Sequence, residues 1–215
     1  MSSTKRFTRG FIFFTTGVVM LIMSLYSLGV FGKGGAAGFK KEYGDDIVPN
    51  NLYTYLNKEE VLEFLNDGTG ILYFGYPESP WCKRVVSVLN DAAFANGVKE
   101  INYYNIKKDR NTLSLKEDGS VTIDANGTNF YNELLKELTG YTSKYILTDS
   151  EGNSVDTGEY RIYVPFVVFV KEGKVIYAHS DVVDSYTDTN ESLTQDQRDE
   201  LYGIYEKGIL LIKEK

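Results

Sequence analysis

Residues 73–83 read YFGYPESPWCK, and this stretch decides the fold. The apolar run at its start ends at Gly75, and a helical pattern begins at Pro80, which predicts a buried strand, a tight turn and a helix. Ser79 stands where a helix N-cap belongs, because its hydroxyl can accept a hydrogen bond from an early helical N–H group. Pro80 suits the first helical position, where a missing N–H group costs nothing. Cys82 therefore falls in the first turn of the helix.

The composition predicts a folded protein that is stabilised by its core. The chain has 215 residues, enough for one ordinary domain with additions, and its aromatic content of 14% supplies that core. It contains a single cysteine, so no disulfide can form within the chain, and any disulfide must join Cys82 to another molecule. No cofactor and no metal are predicted. The acidic residues in 181–191 lack EF-hand spacing and are interpreted as a solvated loop rather than a calcium site, and His179 as a surface residue.

A second feature decides the topology. Residues 10–31 carry no charge over 22 positions, which is long enough to span a bilayer as a helix. Basic residues precede this segment, so we expect a cytoplasmic N-terminus and an extracytoplasmic remainder. Residues 1–32 are thus predicted to form a cytoplasmic tip and a single-pass transmembrane signal-anchor in the cell membrane. The alternative is a secreted protein released by signal cleavage, because residues 34–38 are small enough to suit a peptidase.

The charge of the remaining chain argues against one class of partner. Three of the 23 basic residues precede the apolar segment, so residues 33–215 carry 20 basic and all 30 acidic residues, a net of −10. Such a surface repels phosphate backbones, and we expect no nucleic-acid binding. Residues 33–50 are rich in Gly, Ala and Lys and then polar, which predicts a linker. Strand and helix patterns alternate over 51–215, which predicts an α/β domain.

Residues 161–170 form the second strongly apolar stretch of that domain. Pro165 lies inside the predicted strand, where it removes a hydrogen-bond donor from the sheet. A cis Val164–Pro165 peptide bond at the start of the strand is one way to accommodate it. The glycine of Lys171–Gly173 then predicts a hairpin turn into a further strand.

These motifs together resemble the thioredoxin-like superfamily. The turn that ends in Pro-Trp-Cys lines up with that family's Cys-x-x-Cys turn, with Ser79 in the position of the first cysteine, and Val164–Pro165 lines up with the pair that carries its cis-proline. The resemblance covers about 51–215 and implies a thioredoxin-like fold, a central mixed sheet flanked by helices, with an insertion at about 107–160. More narrowly, four segments resemble the Gram-positive thioredoxin-like proteins often described as bacteriocin transport accessory proteins: the Pro-Trp-Cys turn, Tyr163–Pro165, Val170–Lys174 and the tail at 193–197.

The resemblance implies thiol–disulfide chemistry, but two residues depart from the family pattern. The first cysteine of the family is the nucleophile, and the hydroxyl of Ser79 is not acidic enough to attack a disulfide at neutral pH. The family's buried acid, six positions before the first cysteine, corresponds to Tyr73. We therefore expect a tethered extracytoplasmic protein with weak or no dithiol redox activity that binds or acts on partner proteins. The alternative is an active thiol–disulfide oxidoreductase, monothiol through Cys82, or dithiol if Ser79 is an engineered replacement for cysteine.

Two interpretations stay open for each main site residue. Cys82 is either a small buried apolar group or a thiol whose pKa is lowered by the helix N-terminus, Lys83 and Arg84. Trp81 is either a platform for a partner peptide beside Pro165 or a lid packed on the turn. The resemblance also implies that the cis-proline edge binds an extended peptide by strand addition. The predicted site comprises Cys82 and Ser79 at the catalytic positions and Trp81, Pro80, Val164 and Pro165 as binding residues.

Overall fold

The structure is a computed structural model that describes residues 35–214. The described chain contains both helices and strands, and over residues 36–105 the two alternate, as the sequence predicts. The helices are α1 (Ala36–Tyr43), α2 (Lys58–Asp67), α3 (Pro80–Ala95), α4 (Asn129–Glu137) and α5 (Gln195–Lys213). The strands are β1 (Tyr53–Tyr55), β2 (Gly70–Gly75), β3 (Ile101–Asn105), β4 (Thr112–Leu115), β5 (Val121–Ala125), β6 (Ser143–Thr148), β7 (Ser154–Arg161), β8 (Phe166–Lys171) and β9 (Lys174–Ser180).

A mixed five-stranded sheet forms the centre of the fold, in the order β1-β3-β2-β8-β9. Strands β1 and β2 both pair in parallel with β3, whereas β8 is antiparallel to β2 and to β9. Helices cover both faces of this sheet. Side chains of α1, α3 and α5 pack on one face, and side chains of α2 and α4 pack on the other. The central strands are buried and carry no charge over residues 71–75 of β2 and 166–170 of β8, because both of their faces are covered there.

The region between β3 and β8 forms two small hairpins and a helix. Strands β4 and β5 pair with each other, as do β6 and β7, and neither pair joins the central sheet. Helix α4 packs on the central sheet through Phe130, Tyr131 and Leu134. Residues 149–153 form the turn of the β6–β7 hairpin, and in the short strand β4 only Leu113 is buried.

The predicted strand at 161–170 is divided in the structure. Arg161 ends β7, Phe166 begins β8, and the two strands belong to different sheets. The Val164–Pro165 bond between them is cis, as predicted. Pro165 has no N–H group to donate to a ladder, so the chain leaves one sheet before it and enters the next after it.

The predicted linker at 33–50 also differs from the structure. Residues 36–43 form α1, and Phe39, Tyr43 and Ile47 are buried in the core. Phe39 stacks on Tyr53 of β1 with a ring-centroid separation of 3.8 Å. These apolar residues recur every four positions, which places Phe39 and Tyr43 on one helical face. The flanking Gly and Lys residues conceal this pattern in the sequence.

The predicted transmembrane segment at 10–31 lies outside the described residues. Within 35–214, no helix has both the length and the apolar composition needed to cross a bilayer.

Candidate functional site

The turn between β2 and α3 has the predicted local structure. Ser79 is the N-cap of α3, and its Oγ accepts a hydrogen bond from the N–H of Cys82 at 3.3 Å. The N–H of Ser79 in turn donates to the carbonyl of Tyr76 at 3.2 Å. Pro80 occupies the first helical position and is exposed, whereas Ser79 is buried. The Ser79 hydroxyl is thus committed to holding the start of the helix.

The thiol of Cys82 is fully enclosed by the core, with 0% of the residue exposed. Burial raises its pKa, and this effect exceeds the lowering by the Ser79 and Tyr73 hydroxyls and by the charge of Arg110. Of the two interpretations of Cys82, the structure therefore agrees with the small buried apolar group and differs from the thiol of lowered pKa. Because the thiolate is the nucleophile in thiol chemistry, Cys82 is a poor nucleophile at neutral pH.

Three tyrosine hydroxyls lie behind the turn and form a phenol cluster. The hydroxyl of Tyr43 lies 3.5 Å from that of Tyr73 and donates to that of Tyr103 at 3.5 Å. Burial raises the pKa of all three phenols above its ordinary value. The cluster approaches the thiol through Gly75, where an added Cβ would lie 2.3 Å from the Tyr73 hydroxyl and 3.1 Å from the Cys82 sulfur. Tyr73 thus fills the space at the end of β2 with a group that stays neutral.

The loop before β8 contains one residue, Val164, whose backbone groups are unpaired. The carbonyl of Pro165 accepts a hydrogen bond from the N–H of Asp181 at 2.9 Å, and the carbonyl of Tyr163 accepts one from the Ser180 hydroxyl at 3.3 Å. Val164, which lies between them, makes no backbone hydrogen bond to any residue in 35–214. One N–H group and one carbonyl are therefore left for an incoming chain at this position.

A groove of about 620 Å³ lies beside this loop. Trp81 and Val164 both line it, so the structure brings together two of the predicted binding residues. Trp81 is half-buried and packs edge-to-face on Tyr186, with ring centroids 5.4 Å apart. It also lines the groove, so part of its ring surface is available to a ligand. The groove is lined by Trp81, Ser143, Lys144, Ile146, Tyr163, Val164, Ser180 and Asp181. The lining does not include Cys82, Ser79, Pro80 or Pro165.

The β6–β7 hairpin supplies one wall of the groove, and sequence reasoning missed this role. Ile146 and Tyr163 line the groove and are 39% and 36% exposed, so both offer apolar surface to a ligand. The hydroxyl of Tyr163 accepts a hydrogen bond from the N–H of Ile146 at 3.0 Å, which holds the hairpin against the loop. The hairpin turn is visible in the sequence, but no local pattern tells where such a hairpin packs.

Cationic side chains adjoin the turn on the side of Tyr76. Arg110 donates to the Tyr76 hydroxyl at 2.9 Å and lies 5.0 Å from the ring centroid, and Lys107 lies 5.6 Å from the same centroid. Lys107 also pairs with Glu78 at 3.1 Å. The basic run 107–110 in the sequence is a signal for this cluster, but it gives no indication of a contact with the turn.

The described residues include no set of three His, Cys, Asp or Glu side chains placed to hold a metal ion. The ring of His179 contacts the carbonyl of Val182 at 2.7 Å and lies far along the chain from Cys82. The site therefore offers an open groove with free backbone groups next to a closed thiol. No protein-family model, no curated protein and no solved structure matches this chain.

Proposed function

We propose that this chain is a thioredoxin-like protein, tethered outside the cytoplasmic membrane by residues 10–31, that binds extended segments of partner polypeptides and has weak or no dithiol redox activity. One contrast carries the proposal: the thiol of Cys82 is enclosed, whereas the backbone of Val164 is open beside a groove. We also propose that the chain is related to the Gram-positive bacteriocin transport accessory proteins that its sequence resembles.

The sheet order and the placement of two motifs support the thioredoxin-like assignment. The strand order is β1-β3-β2-β8-β9, in which β8 is antiparallel to β2 and β9 is antiparallel to β8. This arrangement agrees with the mixed sheet that the resemblance implies. The turn at Ser79 leads from a central strand into a helix, and the cis Val164–Pro165 bond directly precedes the neighbouring strand.

The absence of a usable nucleophile supports the low redox activity. Disulfide exchange requires a thiolate that can reach a partner's sulfur. Ser79 offers a hydroxyl instead, and that hydroxyl caps a helix. Cys82 is neither exposed nor acidified. Tyr73, where the family has an acid, stays protonated because burial raises its pKa.

Binding by strand addition accounts for the open features. An extended peptide can form main-chain hydrogen bonds with a free edge while its alternate side chains enter a groove. Val164 supplies the free N–H group and carbonyl. Trp81 and Tyr163 supply aromatic surface at the groove, and Trp and Tyr are among the residues that carry most of the binding energy at interfaces.

A peptide titration tests this function. The full chain in a nonionic detergent is titrated with a blocked heptapeptide of alternating threonine and valine, and the fluorescence of Trp81, the single tryptophan, is recorded. We expect saturable binding. A backbone N-methylated copy should bind about fivefold more weakly or worse, because it can no longer donate to the carbonyl of Val164 and a hydrogen bond contributes about 1 kcal/mol. Tyr163→Ala should weaken binding, whereas the matched control Tyr160→Ala should not, because Tyr160 is exposed outside the groove.

A redox assay tests the other half of the proposal. We expect the chain to reduce insulin no faster than dithiothreitol alone, and to leave Cys82 unlabelled by iodoacetamide until denaturant is added. The Ser79→Cys variant serves as the comparison, because it restores the first cysteine of the turn. Insulin reduction by the unchanged chain at a rate near that of Ser79→Cys would overturn the proposal in favour of an oxidoreductase.

A further inference from the structure

Two arginines outside the groove, Arg110 and Arg161, are brought to the same region because Arg161 contacts the backbone next to Arg110. The Nη1 of Arg161 donates to the carbonyl of Asn111, the residue after Arg110, at 3.0 Å. Arg161 also lies over the ring of Tyr145, 4.0 Å from its centroid. Burial lowers the pKa of Arg161, and the positive charge of Arg110 lowers it further, which agrees with the position given by the hydrogen bond to Asn111.

Neither arginine of this pair has a counter-charge among residues 35–214. Of the four arginines in that range, Arg84 is ion-paired with Asp46 at 3.9 Å and Arg198 with Asp91 at 3.4 Å. No Asp or Glu oxygen of the described chain lies within 4.0 Å of either guanidinium group of the pair. The lack of an acidic partner is a local feature of this region, because the whole chain has 30 acidic residues against 23 basic ones.

This arrangement is costly without a ligand. Two like charges repel, and withdrawing them partly from water adds a desolvation cost that only an opposite charge offsets. The Nε of Arg110 is buried and donates to no described residue, and Arg161 uses a single nitrogen for its hydrogen bond. A ligand cannot reach the enclosed Nε of Arg110, so the donors left over are the other nitrogens of the two guanidinium groups. Those of Arg161 keep the planar fork that binds a carboxylate through two parallel hydrogen bonds.

The pair contacts both loops of the candidate site. Arg110 reaches the turn through the hydroxyl of Tyr76, whose carbonyl accepts the N–H of Ser79. Arg161 ends β7 just before the loop that leads to Pro165. Its stacking partner Tyr145 packs edge-to-face on Tyr163, a groove residue, with centroids 6.4 Å apart.

We propose that the Arg110–Arg161 pair binds an acidic side chain, aspartate or glutamate, of a polypeptide held in the groove. The proposal rests on the peptide binding proposed above and adds the class of segment: an extended stretch that carries a carboxylate. The negative charge of an acidic ligand offsets the positive charge of the pair, although the protein as a whole is acidic and repels anions at long range. The selectivity is therefore local, and we expect it to persist at 150 mM salt, where long-range charge effects are screened beyond about 8 Å.

Two blocked peptides that differ in one group test the proposal. The central residue of the threonine–valine heptapeptide is replaced by glutamate in one and by glutamine in the other, and both are titrated against the full chain in nonionic detergent at 150 mM salt. We expect the glutamate peptide to bind about tenfold more tightly, because a charge-assisted hydrogen bond contributes about 1.5–3 kcal/mol. Arg110→Gln and Arg161→Gln should each remove this preference, whereas Arg198→Gln, which also deletes one positive charge, should retain it.

Chemical modification gives a readout that needs no variant and so survives a folding defect. Phenylglyoxal modifies arginine, and mass spectrometry gives the rate at each site. The glutamate peptide should slow the modification of Arg110 and Arg161 but not that of Arg198, and the glutamine peptide should slow it less. Inorganic phosphate is the further probe: stronger protection by phosphate than by the glutamate peptide would overturn the assignment to an acidic side chain.

The failure of this inference is distinguishable from the failure of the proposed function. Equal affinity for the two peptides, or an equal loss of preference in Arg198→Gln, sinks the inference and leaves peptide binding in place. If neither peptide binds, both proposals are wrong.

Discussion

The side chain of Cys82 lies in the first turn of α3, where the partial positive charge of a helix N-terminus ordinarily stabilises a thiolate. That effect is worth about 0.3–1 kcal/mol and at most about 2. Full burial can shift the pKa of an ionisable group by about 3–5 units, each worth about 1.4 kcal/mol, in the direction of the neutral form. Cys82 is fully buried, so desolvation prevails and its pKa is raised. Position in a helix alone therefore does not predict a reactive thiol.

A pair of buried tyrosines allows a test at the same scale. Tyr205 is fully buried and its hydroxyl has no hydrogen-bond partner in the structure, whereas the hydroxyl of Tyr53 donates to the carbonyl of Val86 at 2.9 Å. An unsatisfied buried polar group costs about 1–3 kcal/mol, so Tyr205→Phe should raise the free energy of unfolding by about 1 kcal/mol or more. Tyr53→Phe should lower it by about 1 kcal/mol, because it loses a satisfied bond. Urea unfolding followed by circular dichroism gives both values, and equal destabilisation by the two variants would contradict the expectation.

Helix α1 is the element that differs most between expectation and structure. Phe39 of α1 packs on the sheet, where its ring stacks on Tyr53 and lies edge-to-face with Tyr103. We expect Phe39→Ala to cost about 3–5 kcal/mol, the usual loss for a buried aromatic. Lys41→Ala on the same helix is the matched control and should change stability by less than about 0.5 kcal/mol, because Lys41 is exposed. A flexible linker would make the two variants equally harmless, which thermal unfolding of the full chain would reveal.

Elements with local signals were predictable from the sequence, and those fixed by distant contacts were not. Helices α2 and α5 begin at complete capping boxes, at Asn57 and Thr194, so their starts follow from a few neighbouring residues. The strand–turn–helix at Ser79 and the cis bond before Pro165 are likewise local. The packing of the β6–β7 hairpin beside the groove depends on contacts such as that of Tyr163 with Ile146. Such contacts join residues 17 positions apart and leave no short pattern.

The site shows the same division. The frame formed by the turn and the cis-proline loop was visible in two motifs. The phenol cluster behind Cys82 combines side chains from α1, β2 and β3. The first of these, Tyr43, lies within residues 33–50, which were predicted to be a linker and so were not expected to reach the core. Arg110 and Arg161 are 51 positions apart in the sequence, so neither a local pattern nor the net charge of the chain indicates that they lie in one region.

On the scale of the whole molecule, the fold buries many groups that ionise in alkali. Burial raises the pKa of Cys82 and, well above the ordinary value, that of four phenols. These phenols belong to Tyr43, Tyr53, Tyr73 and Tyr205. The folded state therefore holds these protons more tightly than the unfolded state, in which cysteine ionises near pH 8.5 and tyrosine near pH 10. Stability is fully present below those unfolded values and is lost as the pH rises above them.

We accordingly expect cooperative unfolding in alkali, with the free energy of unfolding flat from neutrality to about pH 8.5 and steep above about pH 10. Each shifted phenol contributes about 1.4 kcal/mol per pH unit in the steep range, so four remove a typical stability of 5–15 kcal/mol within about one to three units. Tyrosinate absorbance at 295 nm should rise gradually for exposed tyrosines and then in one step that coincides with the loss of helical circular dichroism. Tyr73→Phe should lower the slope by about 1.4 kcal/mol per pH unit, since one titrating group is gone. Complete tyrosine ionisation with the helical signal intact would show instead that these phenols reach solvent in the folded state.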